Sequence, residues 1–152
     1  VSSTVAAARA NLKGLLDTAA AAASGTGLEG FQVSWGDPQA FEDQKVVTLD
    51  GWTQTEEWAG IGGQKRAETY DLRLRLKVHD PAGTAESVDQ QVTAAVDAVR
   101  ALLASNVVLA GAGTWAHLSG HETDDERSGP AEGGGFVVFA RLTVNCHAPR
   151  IT

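Results

Sequence analysis

Between Glu68 and Asp80 the chain alternates apolar and polar side chains without a break, reading ETYDLRLRLKVHD. Successive strand residues point to opposite faces, so Glu68, Tyr70, Leu72, Leu74, Leu76 and Val78 share one face and Thr69, Asp71, Arg73, Arg75 and Lys77 the other. The pattern predicts a half-buried antiparallel strand. From Glu68 to Val78 it spans roughly 36 Å at about 3.3 Å per residue, long enough to act as the spine of a sheet. Past Pro81 and Gly83, the residues Val88, Val92, Val96, Val99, Leu102 and Leu103 fall on one helical stripe. That helix is predicted to start near Ala85 or Glu86, with Thr84 as cap and Glu86 and Asp89 near its positive end. Run to Ala104, it is about 28 Å long and matches the buried face of the strand in length.

The remaining elements are read in the same way. Ser2, Ser3 and Thr4 offer a hydroxyl cap for a first helix carrying Val5, Ala8, Leu12, Leu15, Leu16 and Ala19 at helical spacing, ended by Ser24 to Gly27. Phe31, Val33 and Trp35 alternate on a short strand that Gly36-Asp37-Pro38 breaks. Val46 to Leu49 and Trp52 to Trp58 flank Asp50-Gly51, a pair favoured in two-residue hairpin turns, so a hairpin is expected there. Gly60 to Gly63 reads as a turn, since no Lys-Ser or Lys-Thr follows to complete a phosphate loop. Val107 to Ala110 and Trp115 to Leu118 read as short strand pieces. From Phe136 to Cys146 a second long alternating strand puts Phe136, Val138, Ala140, Leu142, Val144 and Cys146 opposite Arg141, Thr143 and Asn145. Between these strands, Gly120 to Gly135 is neither periodic nor apolar and is expected to be a mobile loop, because it offers little burial to offset its ordering entropy.

Composition bounds the class. A chain of 152 residues is expected to form a single domain, 1–152, with a self-sufficient core. The one cysteine, Cys146, cannot form an internal disulfide and reads as a small strand residue. A net charge of −7 argues against tight binding of a phosphate backbone, which needs surface Lys and Arg. No apolar run approaches the roughly 20 residues of a membrane span, and no membrane association is expected.

No local motif names a reaction. Gly111-Ala-Gly-Thr-Trp-Ala116 imitates half of a dinucleotide fingerprint, but a helix should follow so that its N-terminus meets the pyrophosphate, and a polar loop follows instead. His117, His121, Glu122 and Asp124 lack the spacing of a zinc site. Cys146 and His147 are adjacent on a strand and point to opposite faces, so they cannot form a nucleophile and base. Asp80 and Glu86 are uninformative. The expectation is therefore no catalytic residue, no metal and no cofactor.

The order of elements predicts an α+β domain, a two-layer sandwich of a mixed or antiparallel sheet with two helices on one face. With the opening Ser-Thr-Val-Ala-Ala-Ala-Arg-Ala-Asn-Leu helix, the Val33-Ser-Trp-Gly-Asp-Pro38 strand and break, the start Glu68-Thr-Tyr-Asp-Leu72 and the helix after His79-Asp-Pro81, the chain resembles the tail terminator proteins of long-tailed bacteriophages, especially those infecting actinobacteria. The likeness covers nearly the whole chain and rests on the order and length of its elements. It implies a virion structural protein, assembled in the host cytoplasm and located at the head-proximal end of the tail. Such a protein forms a homo-oligomeric ring, usually of six subunits, that caps the tail tube protein, stops its polymerisation and joins a head completion or connector protein. DNA would pass through the ring without tight binding. Other phage neck or tail-completion proteins share the size and class, and a small ligand-binding or enzymatic domain is a further alternative. A cyclic ring makes each contact heterologous, so the basic face of Arg73, Arg75 and Lys77, joined by Arg141 if the long strands pair, is a candidate to meet Glu56 and Glu57, or Asp124, Asp125 and Glu126, of a neighbour.

Overall fold

In the computed structural model, which describes residues 3–22, 27–36, 45–58, 66–106, 115–125 and 127–151, the alternating stretch is the central strand of a mixed sheet. The elements are α1 (Val5–Ala21), β1 (Gln32–Trp35), β2 (Lys45–Trp58), β3 (Arg66–Asp80), α2 (Ala85–Ser105), β4 (Trp115–Thr123), β5 (Gly129–Pro130) and β6 (Phe136–Ile151). The sheet order is β1-β2-β3-β6-β4, with β5 also beside β6. β1 lies parallel to β2, and the other pairings are antiparallel. The fold is α+β, and no described helix is long and apolar enough to cross a membrane.

The core follows from the two alternating strands. Tyr70, Leu72, Leu74, Leu76 and Val78 on β3 stand opposite Cys146, Val144, Leu142, Ala140 and Val138 on β6, and all ten are buried. Val5, Ala8, Leu12, Leu16 and Ala19 of α1 and Val88, Val92, Ala95, Val96, Val99 and Leu103 of α2 join the same cluster. Both helices therefore cover one face of the sheet. Each fully buried Leu or Val contributes about 1.5–3 kcal/mol relative to exposure, whereas exposed ion pairs contribute about 0–1 kcal/mol. The apolar face thus orients the strands and dictates which side chains look outward. α2 begins where its pattern predicts, with Thr84 and Ser87 forming a reciprocal capping box.

Three expectations are corrected. Asp50-Gly51 makes no hairpin: β2 runs on from Lys45 to Trp58, and its register steps from Leu49↔Leu74 to Trp52↔Leu72, leaving Asp50 and Gly51 opposite Arg73 alone. This is a β-bulge, in which an extra residue shifts the alternation so that Trp52 and Gln54 take the helix-side face after Val47 and Leu49. Neither residue has the positive φ that the hairpin turn requires. The second correction is one of extent and not of mobility: within Gly120 to Gly135, strand order was not expected. β4 continues through Thr123, the Asp124 amide bonds Phe139 O at 2.8 Å, and β5 pairs with β6. At Gly135 the backbone passes against the Asp80 carbonyl with φ +72, a place no side chain fits. Ser128 Oγ adds to these anchors, accepting from the Phe139 amide at 3.0 Å, and the pairings depend on β6, which no local pattern within the segment displays. Val107 to Ala110 and Gly60 to Gly63 lie outside the described residues.

The third correction concerns the start of α1. Thr4 is its N-cap residue but makes no capping side-chain bond. The Ser3 hydroxyl, also expected as a cap, does accept from the Val5 amide at 3.2 Å, and a further cap comes from β3, where the wholly buried Glu68 accepts from the Thr4 amide at 2.5 Å, Ser3 Oγ at 2.9 Å and Gln54 Nε2 at 2.6 Å, and also from the Thr4 hydroxyl. A carboxylate facing exposed helix amides at the positive end of the dipole is stabilising, and its lone pairs are occupied by donors. Replacing it with the near-isosteric amide in Glu68→Gln turns a donor toward donors. The expected cost is about 1–3 kcal/mol, read as a lower urea midpoint with an unchanged m-value. An unchanged midpoint would show that the latch does not hold α1.

Tyr70 and Cys146 face each other beneath this latch. Burial pushes the Tyr70 hydroxyl from an ordinary 10.0 up to about 12, against the opposing hydrogen bond between Tyr70 and Thr4. Burial likewise pushes the Cys146 thiol from 9.0 up to about 12, with Asp71 adding to the rise and a hydrogen bond to Tyr70 opposing it. Both groups are neutral when protonated, so the folded state keeps protons that the unfolded chain releases. Their stabilisation is complete below about pH 9 and declines as pH rises toward 12. Unfolding curves across that window should show the decline, and Cys146→Ala should make it shallower. An identical slope in the variant would refute the assignment.

Candidate assembly surfaces

On the face of the sheet away from the helices, the predicted basic residues do come together. Arg75 of β3 stands directly opposite Arg141 of β6, an unfavourable pairing of like charges on neighbouring strands unless acids intervene. They do so from both sides: Asp50 of the β2 bulge lies 3.0 Å from Arg75, and Glu122 and Asp124 from the β4 end lie 3.4 and 3.0 Å from Arg141. The row across four strands therefore reads acid, base, base, acid within one chain. Asp124, expected to serve a neighbour, is a partner of its own Arg141. Arg73 differs. Its guanidinium lies across β2 over Gly51, where a Cβ would come within 2.9 Å of Nη2, and it has no ion pair among the described residues. Lys77 is half-buried on this face, and Asp125 is exposed at the β4 end. Glu56 and Glu57 lie in register with Glu68 and Ala67, and Glu126 lies outside the described residues.

A second surface was not legible as a unit. Trp35 ends β1 and Trp52 follows the β2 bulge, which brings both to the helix-side face beside α1. The Arg9 guanidinium sits between them, 4.6 Å from the Trp35 ring centroid and 4.7 Å from that of Trp52, while its Nη2 donates to the Asp50 carbonyl at 2.9 Å. The rings remain 50% and 44% exposed. Trp115, at the opposite edge of the sheet, is 64% exposed. The rings and Arg9 are residue types that dominate the energetics of protein contacts. The missing signal was the bulge: a hairpin at Asp50-Gly51 would have placed Trp52 elsewhere.

The candidates for chemistry disperse. A second bulge at Ser119 shifts β4 so that His117 pairs with Asn145 and His121 with Leu142, turning the two imidazoles to opposite faces. His121 borders a small cleft of about 130 Å³ with Asp89, Asp97 and Arg100 of α2, where Asp97 is tied to Arg100 at 2.7 Å. Glu122 and Asp124 serve Arg141 instead. No group of three or more His, Cys, Asp or Glu that could hold a metal occurs among the described residues. Cys146 is buried while His147 is exposed and 3.0 Å from Thr69 Oγ1. Asp80 accepts from the Ala82 amide and Gln91. Of the dinucleotide-like string, Trp115 and Ala116 belong to β4, and Gly111 to Thr114 lie outside the described residues. A groove of about 510 Å³ between the helices is lined by Leu15, Ala19, Ala22, Ala98, Ala101 and Leu102, with Thr18, Ser105 and Asn106 as its polar members. No ionisable side chain among the described residues lines it.

The fold is a two-layer α+β domain in which, among the described residues, both helices cover the same sheet face. No protein-family model and no curated protein matches the chain. Among solved structures it is similar to a chain of the virion of native gene transfer agent (GTA) particle, with a TM-score of 0.58 and 14% sequence identity, covering 97% of this chain and 98% of that one. The likeness is one of fold.

The Arg9 stack makes a direct prediction. Arg9→Ala removes the cation from between the rings, so acrylamide quenching of tryptophan fluorescence should increase and stability should fall by about 1–2 kcal/mol, given about 0.5–1 kcal/mol per exposed cation–π contact. Unchanged quenching together with unchanged stability would contradict the stacking.

Proposed function

We propose that this protein is a virion structural protein of the tail terminator kind, a ring-forming subunit that caps the tail tube, stops its growth and offers the surface to which the head joins. The observation that carries the reading is the end-to-end fold likeness to a virion chain, 97% of one chain on 98% of the other at 14% identity, taken together with the resemblance in element order described above. The mechanism needs no chemistry. A heterologous contact that closes into a ring leaves two unlike ring faces, so one face can imitate a tube subunit while the other gives the next tube ring no template. The proposed ring has six subunits, and its partners are the tube protein on one side and a head completion or connector protein on the other. DNA passes through the ring, and the net charge of −7 favours its release over retention. Arg73 and Lys77 are the proposed basic contributors to the subunit contact, facing Glu56, Glu57 or Asp125 of a neighbour. Arg75 and Arg141 act through the acid pairs they already hold.

The fold likeness equally supports a neck or tail-completion subunit, because a likeness to a virion chain carries no position within the particle. Tail length separates the two. In particles assembled without this protein, tails should be overlong or irregular and should fail to join heads, and purified protein added back should restore joining. Normal tail lengths with joining alone lost would assign the protein to the neck, and normal tails on filled heads would reject both readings.

A further inference from the structure

We propose that the two open edges of the sheet pair with each other between copies, the outer edge of β2 beyond Leu49 receiving the outer edge of β4 from the next subunit. The inference rests on the ring reading above and names the contact that closes it. β1 pairs with β2 only from Val46 to Leu49, so residues 52–58 have no strand on their outer side among the described residues. β4 is likewise the last strand of its edge among the described residues, where it pairs with β6. An unpaired strand edge is a row of backbone donors and acceptors that templates a further strand, and proteins that stay apart blunt it with Lys, Pro or bulges. The stretch Trp52-Thr-Gln-Thr-Glu-Glu-Trp58 contains neither Lys nor Pro, and the bulges of β2 and β4 lie outside residues 52–58 and 115–118.

Direction, level and charge select a second copy as the occupant. β2 is antiparallel to β3, β3 to β6 and β6 to β4, so β4 runs opposite to β2. A sheet continued from one copy to the next therefore meets at an antiparallel junction. The levels agree as well, because Trp115 stands beside His147, His147 beside Thr69 and Thr69 beside Thr55. The open part of β2 and the start of β4 thus lie at the same end of the sheet. Residues 52–58 carry Glu56 and Glu57, and β4 from Trp115 to His121 carries no acid, so no like charges meet at this junction. Arg73, lying over Gly51, already points across β2 toward the junction. Each edge supplies one exposed indole, Trp52 on the helix side and Trp115 on the other. A different protein would fill one edge and leave the other open, whereas a second copy fills both.

The test uses the full chain, whose native Cys146 is buried. Chains carrying Thr53→Cys or Thr55→Cys together with His117→Cys should, on mild oxidation, give a covalent ladder that ends at one closed size, and each single variant should stop at dimers. Separately, Thr53→Lys with Thr55→Lys should raise the concentration needed for assembly about tenfold or more while circular dichroism and melting temperature stay unchanged. Rings that form normally in the lysine variant without a cysteine ladder would overturn the edge contact and leave the ring reading standing. A chain that stays monomeric at every concentration and also on tube tips, with no ladder, would overturn both. Slow amide exchange throughout 52–58 in a verified monomer would also overturn the proposal, since that edge would then be occupied within the chain.

Discussion

Among the described residues, both helices lie on one face of this sheet. The two helices supply one apolar stripe each, and both stripes are used on the side of Leu72, Leu74, Leu142 and Val144. Because strand side chains alternate, that choice sends Arg73, Arg75, Lys77 and Arg141 to the other side as a group. The molecule answers the resulting repulsion with its own acids, Asp50 from one flank and Glu122 with Asp124 from the other. An open, internally balanced polar face suits a surface that stays hydrated. The strand ends and aromatic rims, where backbone groups and indoles remain exposed, are better placed for protein contacts.

Two local devices tie the layers together. Glu68 is the wholly buried acidic side chain on the helix-side face of β3, and it faces the start of α1 with donors from Ser3, Thr4 and Gln54 around it. Gln54 reaches it only because the Asp50-Gly51 bulge moves even-numbered residues of β2 to the helix side. The same bulge brings Trp52 to Arg9 and turns the Asp50 carboxylate to Arg75. One inserted residue therefore links the helix layer, the sheet and its outer face.

The long-range features were the ones least visible in the sequence. Strong periodicity made β3, α2 and β6 legible, since a period holds over many residues and depends on nothing outside the segment. Asp-Gly was ambiguous because the same pair serves a tight turn and a bulge, and the choice between them is made by the pairing of Leu49 with Leu74 and Trp52 with Leu72. Glu68 was placed on the buried face, yet its partners lie more than sixty positions away at Ser3 and Thr4, where no local pattern could reveal them. The strand order within 120–135 was hidden for a related reason: its anchors, backbone and side chain alike, reach outside the segment to Phe139, Arg141 and Asp80. The basic candidates were grouped correctly, but their acids had to wait for the strand order.

The central claim is that copies of this chain meet through unlike surfaces and close on themselves. Native mass spectrometry of the purified protein over a range of concentrations, with electron-microscope averages of the largest species, tests it most directly. The account predicts one closed species of identical subunits, a six-membered ring with two different faces, of which one binds the ends of isolated tail tubes. A monomer or a two-fold symmetric dimer at every concentration, with no species bound at tube ends, would contradict it.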